Sequence, residues 1–211
     1  MKFIKELFLK IFPRILQSAS GIIASTEAER NNEIRRISKT LAYKTCVIPN
    51  GLQVSQLTKP HPSSELRSAL GLQPEEKMII YFGRIQFIKG LDITLKALSL
   101  LVNIPYKFII IGRDEGMLSS LRVLADKLAV NDRILFLYPT FHQALAKYLA
   151  TADLFILNSR SEALPMAVLD ACAAGLPVII SPNCNLPEVG TSEAGIVLQN
   201  NTPEETAQAI T

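Results

Sequence analysis

Six short apolar runs, at 78–82, 108–111, 134–137, 154–157, 178–180 and 196–198, restrict the folds open to this chain more than any other feature. None alternates apolar with polar residues, and all are rich in Ile, Leu, Val or Phe, the pattern of strands covered on both faces. Most are separated by segments (91–101, 117–128, 143–150 and 166–174) whose apolar residues recur three and four apart, so each can lie as a helix against a sheet. The expected fold class is α/β, a Rossmann-like doubly wound parallel sheet. In such sheets ligands bind beyond the carboxyl ends of the strands, where loops and helix N-termini meet.

Composition narrows the function classes. With 48% hydrophobic and 19% charged residues over 211 positions, the chain can bury a core and is not intrinsically disordered. Its net charge of +3 gives no reason to expect a nucleic acid partner. Cys46, Cys172 and Cys184 form no CxxC pair and lie far in sequence from His61 and His142, so neither a disulfide scaffold nor a metal site is expected. No apolar run is long enough to span a bilayer. The hydrophobic start, 3–16, is broken by Lys5, Glu6, Lys10 and Arg14, unlike a signal peptide, and a cytoplasmic location follows as the expectation.

The first 45 residues differ from the rest, with nine Lys/Arg against four Asp/Glu. Apolar pairs from Phe3 to Leu16 recur at the helical period, with a kink expected at Pro13. This basic amphipathic helix can pack on a neighbouring domain or touch an anionic membrane surface, and packing is the favoured reading because Glu6 and modest length weaken the other. A short strand at 21–24 and a capping box, Thr26 with Glu29, opening a helix to about Ser38, complete an α/β unit.

Three loops at expected strand ends carry candidate chemistry. After the first run come Gly83-Arg84 and then Lys89-Gly90; an Arg and a Lys five apart beside a helix start can clamp adjacent phosphates. Taken alone, a solvated loop explains them better. Gly112-Arg113-Asp114-Glu115-Gly116 fits a strand-to-helix turn and matches neither GxGxxG nor the GK[ST] phosphate loop. The third loop, Ser159-Arg160-Ser161-Glu162-Ala163-Leu164-Pro165, leads into a helix bracketed by Pro165 and Gly175. Glu162 precedes that helix and Asp170 lies within its apolar stretch, a spacing that suits gripping two ends of an elongated ligand. Singly, they read as a dipole-complementing acid and a solvated residue.

The ordered series Ile48-Pro49-Asn50-Gly51, Phe82-Gly83-Arg84 with Lys89-Gly90, Ile110-Ile111-Gly112, Ala152-Asp153, Ser161-Glu162 through Asp170-Ala171, Gly175-Leu176-Pro177-Val178-Ile179 and Pro187-Glu188 resembles the donor domain of retaining group 1 glycosyltransferases, the GT-B enzymes of glycosyltransferase family four. The resemblance runs from about residue 46 to the end and rests on motif order. It implies that 46–211 is the C-terminal, nucleotide-sugar-binding half of a GT-B fold, truncated at its C-terminus. Residues 1–45 are then a helix/strand remnant of the acceptor domain. It further implies that Arg84 and Lys89 hold the donor diphosphate, Glu162 the sugar hydroxyls and Asp170 the ribose, with Gly83 and the backbone near Leu164, Pro165 and Met166 close to the donor. Arg84, Lys89 and Glu162 are the catalytic candidates.

Such enzymes are commonly metal-independent, so no metal or cofactor is expected, the nucleotide-sugar being substrate. A carbohydrate or lipid-linked acceptor belongs to the full enzyme. Departures are Asp170 in place of Glu, Ala163 in place of Gly, Gln53 in place of Asp and Asn158 in place of Pro. The expected function is retaining sugar transfer, with this chain inactive alone. The alternative is a non-catalytic interaction module derived from the same fold, and a GT-B epimerase ranks behind both.

Overall fold

The computed structural model describes residues 15, 17–37, 39–54, 57 and 61–211, and the helix expected over 3–16 lies almost wholly outside them. The chain divides after Gly51 into two compact units. In the first, β1 (Ile22–Ala24) pairs in parallel with β2 (Thr45–Val47). The intervening helical path begins near Glu27 and includes a π-helical stretch, Glu29–Ile34, and a last segment, Lys39–Tyr43. The capping box forms with a one-residue shift. The Glu29 amide donates to Thr26 Oγ1 at 3.0 Å, and the Glu29 carboxylate accepts from the Ser25 amide at 2.7 Å. Ala24, Ile34 and Leu41 form this unit's small core.

The second unit is a six-stranded, wholly parallel sheet of β3 (Lys77–Phe82), β4 (Tyr106–Ile111), β5 (Ile134–Leu137), β6 (Leu154–Leu157), β7 (Val178–Ile180) and β8 (Gly195–Val197). Its spatial order is β5-β4-β3-β6-β7-β8. The helices are α1 (Ser64–Ala69), α2 (Leu91–Ser99), α3 (Leu118–Lys127), α4 (His142–Thr151), α5 (Met166–Ala173), α6 (Glu188–Thr191) and α7 (Pro203–Ile210). The apolar runs behave as their composition requires: Met78 to Phe82, Phe108 to Ile111 and Val178 to Ile180 are buried throughout. Each such side chain contributes roughly 1.5–3 kcal/mol by leaving water. On α2, Leu91, Leu95 and Leu98 face inward at helical spacing while Lys96 stays exposed. Asp114 opens α3, its Oδ1 accepting from the amides of Gly116, Met117 and Leu118 at 2.9–3.0 Å; those bonds hold its carboxyl below the usual range.

Strand order fixes where a ligand can sit. Successive strands run outward in one direction from β3 to β5, and β6 then starts on the other side of β3. The loops after β3 and β6 therefore diverge to opposite sides of the sheet and leave a crevice between them.

Candidate functional site

Both loops at this switch point are built to hold charge. After β3 the Gly83 amide donates to the Ile111 carbonyl, and Ile85 exchanges backbone bonds with Arg113 and Glu115 of the loop after β4. Tyr81, buried beneath, donates its hydroxyl to the Arg84 carbonyl at 2.8 Å. Burial, reinforced by the nearby Glu162, pushes that phenol well above its ordinary value, so it remains a donor. Gly83 has no side chain to collide with it, since a Cβ there would lie 2.9 Å from the Tyr81 hydroxyl. Arg84 is thus fixed by its backbone while its side chain, 61% exposed, reaches out and meets Glu115 at 3.3 Å.

Farther along, a 3-10 turn, Phe87–Lys89, carries Lys89 into the crevice. Its ammonium lies 2.6 Å from the Glu162 carboxylate of the loop after β6, the two side chains being 15% and 9% exposed. Glu162 is held by its own backbone, whose amide donates to the Asn183 carbonyl and whose carbonyl accepts from Asn185 Nδ2 at 2.7 Å. Three residues later Pro165 caps the start of α5, one position earlier than a first-turn proline.

The candidate donor-site residues converge here. Gly83, Arg84, Lys89, Glu162, Leu164, Pro165 and Met166 line one cavity of about 370 Å³, with Tyr81 at its inner wall. A second cavity of about 350 Å³ shares Gly83, Arg84 and Met166 with the first and adds Asp170, Pro139 and Phe141. Lys89 and Glu162 mark one end of this double crevice and Asp170 the other. Burial raises the Asp170 carboxyl, and no cation pairs with it among the described residues. Tyr138 turns outward, 91% exposed, at the rim of an adjoining pocket. The arrangement offers one cation from each end of a loop, a carboxylate and the first turn of a helix to an elongated anionic ligand with hydroxyl groups. Among the described residues no three His, Cys, Asp or Glu side chains gather as a metal site.

Beside the crevice lie residues to which the sequence assigned no part in the site. Arg160 grips Asp92 through both guanidinium nitrogens at 2.9 and 2.8 Å and stacks over the Phe87 ring, 3.9 Å from its centre. Asn158 is wholly buried; its Oδ1 accepts from Thr94, and its Nδ2 donates to Asn201 and Thr206. Cys184 is also buried, and burial, only partly offset by Ser181, pushes its thiol up to about 11. It is therefore unreactive at neutral pH.

Burial alone would raise the Asp92 carboxyl, but the hydrogen bonds and charge of Arg160 outweigh it and the net shift is downward. A depressed folded pKa stabilises the protein above the unfolded value, about 4, and that contribution is lost as pH falls through the folded value. The gap in melting temperature between the parent protein and Asp92→Asn is accordingly expected to be full at pH 5 and above and to narrow below about pH 4. Melting curves across that range provide the check.

Comparison with known proteins bears on the family and the fold. The family model described as glycosyl transferases group 1 matches residues 62–211. A D-inositol 3-phosphate glycosyltransferase from Mycobacterium marinum is 30% identical over 202 residues, which cover 93% of this chain and 42% of that protein. The chain thus spans about half the length, or less, of the curated relatives it matches. In fold it is similar to a sucrose-phosphate synthase from Thermosynechococcus elongatus, with a TM-score of 0.82 at 24% identity over 97% of this chain and 51% of the other. It is likewise similar to Anabaena HepE in complex with UDP-glucose, with a TM-score of 0.80 at 23% identity over 96% and 56%. No described helix is long and apolar enough to cross a membrane.

Proposed function

We propose, from the premise that the chain belongs to the group 1 glycosyl transferases, that its switch-point crevice binds a nucleotide-diphosphate sugar and serves sugar transfer with retention of configuration in the cytoplasm. The observation that carries this is the convergence of Arg84, Lys89 and Glu162 with the first turn of α5 on one cavity. Arg84 and Lys89 take the diphosphate, Glu162 the sugar hydroxyls, and Asp170, at the far end, the ribose. As the bond from the anomeric carbon to the diphosphate breaks, negative charge grows on the leaving phosphate, where the two cations stabilise it. One preorganised contact of this kind is worth roughly 3–4 kcal/mol of barrier. No metal or cofactor is invoked for this step. On this reading residues 46–211 form the donor-binding half, and transfer requires an acceptor-binding domain beside it, for a carbohydrate or lipid-linked acceptor.

Calorimetric titration with UDP- and GDP-sugars tests the proposal. The protein is expected to bind at least one donor class, and Arg84→Ala to weaken that binding by about tenfold to a hundredfold, the worth of a charge-assisted bond to phosphate. Among the described residues the Arg84 side chain forms only an exposed ion pair, so the same change leaves thermal stability nearly untouched. A folded sample that takes up neither class overturns the reading.

A further inference from the structure

Arg84 and Lys89 come from the loop after β3, Glu162 and the first turn of α5 from the loop after β6, and some fixture must hold the two loops in register. Backbone pairing supplies part of it: the Arg160 amide donates to the Ile88 carbonyl at 2.7 Å, and Ser159 Oγ donates to the same oxygen at 2.9 Å. The larger part is the Arg160 side chain. Its Nη1 donates to the Phe87 carbonyl at 2.6 Å and to Asp92 Oδ1, its Nη2 donates to Asp92 Oδ2, and its flat face covers the Phe87 ring. Phe87 and Asp92 bracket Lys89, and Arg160 lies two residues before Glu162.

We infer that Arg160 and Asp92 are positioning residues for the donor site: together they strap the turn that carries Lys89 to the loop that carries Glu162 and so set the 2.6 Å separation of that pair. Arg160 is absent from the residues lining the crevice, so it acts through the strap and not by touching the donor. Neither lysine in place of Arg160 nor asparagine in place of Asp92 keeps the strap intact. Lysine keeps the charge but lacks the planar fork that reaches two carboxylate oxygens and a carbonyl together. Asparagine in place of Asp92 keeps the shape but gives up the charge that makes the fork strong.

The inference rests on the donor reading of the crevice for its consequence in binding, and two readouts separate the two ideas. The first is reactivity of the Lys89 amine towards acetic anhydride, measured by mass spectrometry against the exposed Lys127 in the same molecule. Lys89 is shielded by its pairing with Glu162, and Arg160→Lys and Asp92→Asn are each expected to raise its relative acylation about fivefold, the net worth of one ordinary hydrogen bond, since the backbone pairing of the two loops remains. The second is calorimetry with the donor that binds best. Asp92→Asn leaves the protein one charge more positive, so bulk electrostatics predicts tighter binding of an anionic donor, whereas a loosened strap predicts binding about fivefold weaker. Arg160→Lys leaves net charge unchanged and is expected to weaken binding to the same degree.

Increased Lys89 labelling with weaker donor binding supports the inference. Unchanged Lys89 labelling in either folded variant overturns it, whatever the donor does, and so does tighter donor binding by Asp92→Asn. Increased labelling in a protein that takes up no nucleotide-sugar upholds the strap and overturns the donor reading alone.

Discussion

Gly90→Ala is expected to lower the stability of the six-stranded unit by about 3 kcal/mol or more, the sum of a strained backbone and an overpacked contact. Gly90 joins the Lys89 turn to α2 with φ at +67° and ψ at 23°, in the left-handed region. A Cβ added there would lie 1.9 Å from the Asn158 carbonyl oxygen and 2.7 Å from its carbon. Both are backbone atoms, so no side chain can swing aside to make room. Gly175, after α5, isolates the conformational part: its φ is +77°, but nothing lies within 4 Å of the added carbon. Gly175→Ala is therefore expected to cost only about 1 kcal/mol. At about 2–4 °C per kcal/mol for a chain of this size, calorimetric melting should separate the two variants clearly. Equal melting temperatures would show that the loops after β3 and β6 do not abut at Gly90. A variant that melts low but still folds is also expected to bind donor poorly, since relieving the clash moves Lys89 away from Glu162.

That close approach bears on how much the sequence alone could show. The strands of the six-stranded sheet were legible because burial on both faces leaves no polar position to interrupt an apolar run, and 134–137, 154–157 and 178–180 agree with β5, β6 and β7 residue for residue. β8 lies one residue earlier than the run at 196–198 implied, since pairing with β7 decides its register and Gly195 has no side chain to reveal it. β2 was not anticipated: Thr45-Cys46-Val47 is too short and too mixed in exposure to carry a period. α7 went unread although a signal was present, a threonine with a glutamate three residues on; Thr202 Oγ1 does accept from the Glu205 amide.

The crevice residues were legible through the order of their motifs. Arg160 and Asp92 were not, because 68 residues separate them and neither the spacing nor the residue types suggest a pair. Asn158 stands in sequence only as a departure from the family's proline. In the structure it is a buried junction between β6, α2 and the start of α7, a role that only three-dimensional neighbours define.

Lys89→Met and Glu162→Gln are expected to have unequal effects on stability and equal effects on binding. With Lys89 shortened to an uncharged side chain, the Glu162 carboxylate stays 9% exposed, pinned through its own backbone to Asn183 and Asn185, and among the described residues no second cation is paired with it. Removing one partner of a buried pair in this way costs roughly 3 kcal/mol or more. The reverse change is milder. An unpaired Lys89 sits on a flexible four-carbon stem and can turn its ammonium to water, so Glu162→Gln is expected to cost about 1 kcal/mol. The double variant carries no stranded charge and should recover most of what Lys89→Met loses, a coupling that denaturant melts of the four proteins measure directly. Donor binding follows a different rule, because on the proposed reading both groups contact the donor: each single variant and the double variant should bind at least tenfold more weakly, whatever their stability. Recovery of the fold without recovery of binding is the result that assigns the pair to the ligand and not only to the core. Additive losses in stability, with no recovery in the double variant, would mean that the 2.6 Å contact carries no coupling and that Glu162 is satisfied by water.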